Sequence, residues 1–408
     1  MATIKINNVT ALTESGGVVT LDSAVAGAGT TGITSSASGT AITIGADGSV
    51  TLSGDLIPST PLSHRNMIIN GGMTVWQRGT TSTAGGNPAY LTADRWGIYN
   101  NTTGQEISQQ ADAPEGFKYS YRFKCTASVV PGVSDYIYIP YKIEGQDLQH
   151  LKKGIANAEA ITISFWVKSN KNATYQLNII DETNSRIIGA TYAISSAATW
   201  EKKTITFAGD TTGGTIDNDN TTGFTLEWFL DSGINLKSGA LPTAWEGKTD
   251  ADRNAGGTVE FRTTNDYFQI TGIQLELGSN ATPFEHRSYG DELARCQRYF
   301  FMLADGTNGT STPCGIGNQY NSSIVYLTPY FPVAMRAGPT IYEVGGTNYF
   351  RNYQNSAGVS YDADWQLRKG STTCANIWTN SSSPGTGGHA VWVETNNTSA
   401  RLGFIAEL

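Results

Sequence analysis

Phe117-Lys118-Tyr119-Ser120-Tyr121-Arg122-Phe123-Lys124 carries an aromatic ring at every second position. That period belongs to a β-strand with one buried face, because successive side chains point to opposite sides of a sheet. Ile161-Thr162-Ile163-Ser164-Phe165-Trp166-Val167-Lys168 repeats the design with Ile, Phe and Val at alternate positions. Working outward, residues 136–141, 174–180, 204–207, 224–230 and 268–277 supply further strands at spacings that suit a sandwich. Residues 64–287 are therefore expected to form one jelly-roll β-sandwich.

A chain of 408 residues exceeds what one hydrophobic core serves, so two or three units are expected. Charged residues make up 15% of it, against roughly 25% in an average soluble domain, and it holds 46 glycines. This is a β-rich composition, and the fold class expected is all-β. With 27 basic and 35 acidic side chains the net charge is −8, which argues against a phosphate-tracking surface and so against nucleic acid. No stretch approaches the roughly 20 apolar residues of a membrane span, and Met1-Ala2-Thr3-Ile4-Lys5 lacks the layout of a signal peptide. Synthesis in a cytoplasm without membrane insertion is the expectation. Cys125, Cys296, Cys314 and Cys374 lie far apart with no CxxC pair, so they read as buried thiols.

The sharpest shift in composition comes early. Residues 1–75 contain no aromatic, and every Phe, Trp and Tyr falls from Trp76 onward. The pairs Ile4 and Ile6, Ile42 and Ile44, and Val50 and Leu52, with Val18-Val19-Thr20-Leu21, read as short strands that cannot close a core alone. Residues 1–63 are expected to be a β-rich arm ordered by assembly. Downstream, Ser288 with early acids and later basic residues opens a helix expected over 288–303. Tyr289, Leu293, Cys296, Phe300 and Leu303 are spaced 4-3-4-3 along it, the seam of a coiled coil. Two readings stay open: a connecting helix packed on its own sandwich, or an inter-subunit bundle. Residues 304–408 return to short strands and turns and are expected to form a second, smaller β-sandwich.

Catalytic and cofactor motifs do not assemble. Gly27-Ala28-Gly29-Thr30-Thr31-Gly32 fits GxGxxG, but the serine-rich Ile33–Gly39 that follows is a poor helix former without a βαβ context. His64, His150, His286 and His389 belong to no metal triad or nucleophile elbow. Asp217-Asn218-Asp219-Asn220 has calcium-loop chemistry, yet Thr222 and Trp228 stand where an EF-hand needs Gly and Glu, so a solvated turn is expected. Neither a metal nor a cofactor is expected. The aromatics carry more information, since sugars bind by stacking on Trp and Tyr faces among Asn, Asp and Gln. Tyr349, Tyr353, Tyr361, Trp365 and Trp378 are the candidates for such a site; each could instead fill the core.

Several strings resemble tail-fibre and related appendage proteins of tailed bacteriophages. They are Asn66-Met67-Ile68-Ile69-Asn70-Gly71-Gly72-Met73-Thr74-Val75-Trp76-Gln77-Arg78-Gly79, Tyr90-Leu91-Thr92-Ala93-Asp94-Arg95-Trp96, Ile143–Leu148, Ile163–Ser169, Gly272–Gly278, Ala281–Arg287 and Leu293-Ala294-Arg295-Cys296-Gln297-Arg298-Tyr299. The resemblance implies a carbohydrate-binding-like jelly roll, a trimeric virion appendage and a β-rich C-terminal tip, and residues 1–63 are expected to anchor the chain on other virion proteins. Host-surface carbohydrate is then the expected partner of a non-enzymatic tail fibre. A head-decoration or neck fibre and a polysaccharide depolymerase are the alternatives. Trp76 and Trp96 are expected in the core, with Asp94–Arg95 and Glu285–Arg287 as ties between chain ends.

Overall fold

The computed structural model describes residues 63–408, apart from 363 and 380–382, together with the backbone of five short strands in the first 62 residues. The chain divides into Met1–Ser59 and Thr60–Leu408. In the first unit Thr3–Ile6, Val9–Ser15 and Val18–Leu21 form an antiparallel sheet in chain order, and Ile42–Ile44 pairs with Val50–Leu52. How this arm is ordered lies outside the described residues, as does the GxGxxG string.

The second unit opens with the expected sandwich. Its strands run in the order Glu201–Phe207, Ile161–Ser169, Tyr267–Leu277, Ser120–Cys125, Ile98–Gln110, Tyr136–Glu144, Thr222–Ser232, Ala173–Asp181 and Arg186–Ile194. Ile98–Gln110 turns the corner between the two layers. Its start pairs with Tyr136–Glu144 through Tyr99↔Tyr138, and its end pairs with Ser120–Cys125 through Gln105↔Cys125. Alternation then sorts the side chains: Ile163, Phe165 and Val167 from one layer meet Leu226, Trp228 and Leu230 from the other in one core. Phe165 and Trp228 cross edge to face with centroids 6.0 Å apart. The decisive aromatic run is a strand only over Ser120–Cys125, where Tyr121 and Phe123 are buried. Phe117 lies before it and packs on Phe284 at 4.9 Å.

The helix is shorter than the heptad spacing suggested. It spans Tyr289–Gln297, with Ser288 Oγ accepting from Asp291 N as its cap. Phe300 and Leu303 belong to the following strand, Phe300–Asp305, so the five seam residues do not share a helix. Cys296 and Phe300 are fully buried within their own chain, Leu293 is half-buried and Tyr289 is exposed. This corrects the continuous seam: the 4-3-4-3 period records a helix and a strand that both pack inward. Among the described residues no helix is long and apolar enough to cross a membrane.

Two sheets make the C-terminal sandwich. The smaller places Arg401–Ile405 between Phe300–Asp305 and Thr340–Val344. The larger runs Ala357–Tyr361, Phe350–Gln354, Ala390–Thr395, Pro313–Gln319, Val325–Leu327, Ala375–Thr379, Trp365–Gly370, all antiparallel. Leu402 and Phe404 of the first meet Phe350, Val391 and Val393 of the second in a common core.

The two sandwiches are fastened by buried charge. Arg78 pairs with Asp94 and with Glu407, each at 2.9 Å, and Arg95 also pairs with Glu407. The Arg95 guanidinium lies 3.5 Å from the Tyr299 ring centroid, and Arg78 lies 3.7 Å from that of Phe300. Arg298 grips Glu144 with two bonds of 2.8 and 2.7 Å. Four of the strings that resemble phage appendages, through Arg78, Asp94 with Arg95, Glu144, and Arg298 with Tyr299, therefore meet at one joint. Asp94 pairs with Arg78 rather than with its neighbour Arg95, which corrects that expected tie; Glu285 and Arg287 do meet, at 3.4 Å. Trp96 is in the core, while Trp76 is half-buried against it.

Candidate functional site

In Ala390-Val391-Trp392-Val393-Glu394 the valines are buried, so a two-residue period must turn Trp392 outward. Phe350-Arg351-Asn352-Tyr353 obeys the same rule: Phe350 and Asn352 go in, Arg351 and Tyr353 go out. The outer face of the seven-stranded sheet is thereby furnished from the sequence pattern alone.

Register lines these residues up across strands. Ile316 stands opposite Trp392, Trp392 opposite Tyr353, and Tyr353 opposite Gly358. Two residues along, Ala390, Asn318, Tyr326, Trp378 and Gln366 form a second cross-strand row. From the Tyr353 strand to the Trp378 strand is four interstrand steps, ~19 Å. Trp392 is 46% exposed, Tyr353 36% and Ile316 74%, whereas apolar side chains of this size are ordinarily covered. Tyr320 joins Tyr326 edge to face at 5.3 Å, and Tyr326 lies 6.5 Å from Trp378.

Local chemistry fixes the rings. A Cβ on Gly358 would come 2.7 Å from Tyr353 Cε1, so the ring lies flat across this glycine of the edge strand. Arg351, ion-paired with Glu394, sits 4.9 Å from the same ring centroid. Arg368 covers the Tyr326 ring at 5.0 Å. The arrangement offers aromatic faces between amides and guanidinium groups, the chemistry of a site that stacks on flat, hydroxyl-bearing ligands.

The five candidate aromatics separate. Tyr353 and Trp378 are on this face. Tyr361 and Trp365 are buried, 6.3 and 5.9 Å from Phe350, and belong to the core, which corrects their assignment to a site. Tyr349 packs half-buried against that core. Trp392, Tyr320, Tyr326 and Ile316 were not among the candidates, although the Val-Trp-Val alternation marks Trp392 as outward-facing. Beneath the face, Glu343 accepts a hydrogen bond from Trp365 N at 3.1 Å, and burial pushes its carboxyl up to about 7.

Elsewhere several charged groups are paired with one another. Lys153, almost fully buried, bridges Asp181 at 2.6 Å and Asp210 at 3.1 Å. Asp219 of the calcium-like string accepts from Thr221 N and Oγ1 in a tight turn, and these bonds hold its carboxyl below the usual range. Among the described residues no group of three or more His, Cys, Asp or Glu is arranged to hold a metal ion. Cys125, Cys296 and Cys314 are buried, but Cys374 is partly exposed.

No family model matches the chain, and no protein of curated function matches it. Among solved structures it is similar to the tailspike protein 4 enzymatically active domain of bacteriophage CBA120, with 11% identity and a TM-score of 0.29, covering 52% of this chain and 21% of that one. A xylan-binding domain from Paenibacillus barcinonensis is 10% identical, with a TM-score of 0.24, covering 51% of this chain and 97% of that domain. The family 11 carbohydrate-binding module of a Clostridium thermocellum cellulosomal cellulase is 14% identical, with a TM-score of 0.24 over 51% of this chain and 98% of the module.

Proposed function

We propose that this chain is a non-enzymatic structural protein of a phage particle, a homotrimeric tail fibre that binds host-surface glycan through the outer face of its C-terminal sheet. The single observation that carries the glycan reading is the cross-strand row Tyr353–Trp392–Ile316, held open to solvent on the outer face of the sheet. The phage reading is supported by the appendage-like strings, four of which supply charged residues to the joint between the two sandwiches. A fibre needs such a joint to present its reader. Residues 1–63 serve as the attachment to other virion proteins, and the protein resides in the virion.

Titration of the intact protein with purified host-surface polysaccharide tests the binding function. Trp392→Ala should weaken binding by about 30-fold, the ~2 kcal/mol of a stacked hot-spot aromatic, with an unchanged melting temperature. Equal affinity in the variant would remove the face from consideration, and new reducing ends in the mixture would make the protein a depolymerase.

A further inference from the structure

Arg368 stands apart from the other arginines of the C-terminal sandwich. Arg336 donates to the Ala406, Glu407 and Asn220 carbonyls, Arg351 is paired with Glu394, and Arg401 with Asp305 at 3.3 Å. Arg368 makes no hydrogen bond or ion pair among the described residues. Its position is built: the pairing of Trp365–Gly370 with Ala375–Thr379 shifts register between Leu367 and Lys369, so Arg368 is the extra residue of a β-bulge. Bulges re-aim side chains, and here the guanidinium comes to rest 5.0 Å from the Tyr326 ring centroid. Stacking on a ring orients a guanidinium without neutralising it, and its N–H donors stay available.

The surroundings complete a subsite. Trp378 lies 6.5 Å from Tyr326, with Gln366 opposite it across the strands and Asn318 opposite Tyr326. Lys369 follows Arg368 and is exposed. The acid closest along this strand is Asp364, which accepts from Gln366 Nε2 at 3.4 Å. An aromatic face for a sugar ring, amides for hydroxyls and one free guanidinium for a carboxylate make a recognition set for an acidic sugar.

Resting on the glycan reading above, we infer that the ligand is an acidic polysaccharide of the uronate type, whose carboxylate is held by Arg368 while its ring stacks at Tyr326 and Trp378. The test compares sodium polygalacturonate with uncharged β-1,4-galactan on the intact protein. Wild type should bind polygalacturonate at least tenfold more tightly, and added NaCl should weaken that binding but not binding to galactan. Arg368→Gln should erase the preference and Arg368→Lys should keep part of it, both with wild-type melting. If Arg368→Gln leaves the preference intact, Arg368 does not hold the carboxylate and the inference fails; if galactan binds as well as polygalacturonate and Trp392→Ala still weakens both, the acidic assignment is wrong and the glycan reading stands. If wild type binds neither polymer, the acidic assignment is overturned, and the glycan reading falls with it only where host-surface polysaccharide also fails to bind.

Discussion

Gly358 and Tyr353 show how a single missing Cβ sets the site. Gly358→Ala should lift the Tyr353 ring, because the new methyl would stand 2.7 Å from its Cε1. Stability should change by less than about 1 kcal/mol, since alanine suits a strand at least as well as glycine. Glycan affinity should fall as far as in Tyr353→Ala, which parallel titrations of the two variants would show. Glu343 makes a second prediction at this scale. Its folded pKa is raised from 4.5 to about 7, so the folded state holds a proton that the unfolded chain releases near 4.5. The stability this confers is complete below pH 4.5 and is lost as pH rises towards 7. Denaturant titrations at pH 5 and pH 8 should show wild type weaker at pH 8 by on the order of 2 kcal/mol, and Glu343→Gln should flatten that difference. An unchanged slope in Glu343→Gln would assign the pH dependence elsewhere. Part of the site was legible from residue type: Tyr353 and Trp378 emerged from their Asn- and Thr-rich setting. Tyr361 and Trp365 did not separate from them, because composition cannot distinguish a ring that faces Phe350 from one that faces water.

Among the elements, the strands were the most legible, since alternation in 161–168 and 268–277 states both the period and the buried face. The helix was misjudged in length because Cys296, Phe300 and Leu303 extend an apolar period across a helix–strand boundary. A spacing of 3 and 4 continues to fit even after the backbone has become extended. The joint was hidden for another reason: Arg78, Asp94, Arg95 and Glu407 are up to 329 residues apart, and no local pattern connects them. Its energetics are testable. Glu407→Ala would leave Arg78 and Arg95 short of a buried partner, which costs about 3–5 kcal/mol when a buried pair is broken. Calorimetry should show a lower melting temperature, with the C-terminal sandwich separating from the jelly roll as its own transition. A single unshifted transition would mean that the joint is not fastened by charge.

At the scale of the whole molecule, the proposal is two joined sandwiches presented in three copies. Rigid trivalency can raise avidity over single-site affinity by about 10²–10⁴-fold, so a weak sugar site suffices for adsorption. Sedimentation of the intact protein should give three times the chain mass; the mass of one chain would contradict the trimer while leaving the binding face untouched. Of the seam residues Tyr289 is exposed and Leu293 and Leu303 are half-buried, whereas Cys296 and Phe300 are covered by their own chain. Leu293→Asp should accordingly lower the sedimenting mass without unfolding the sandwiches. The central claim is that glycan lies on the outer face of the C-terminal sheet. Hydroxyl-radical footprinting of the intact protein, with and without host-surface polysaccharide, tests it most directly. The account predicts protection of Trp392, Trp378 and Tyr353 while Tyr99 and Tyr136 of the jelly roll oxidise as before. Protection confined to Tyr99 and Tyr136, with Trp392 unchanged, would contradict it.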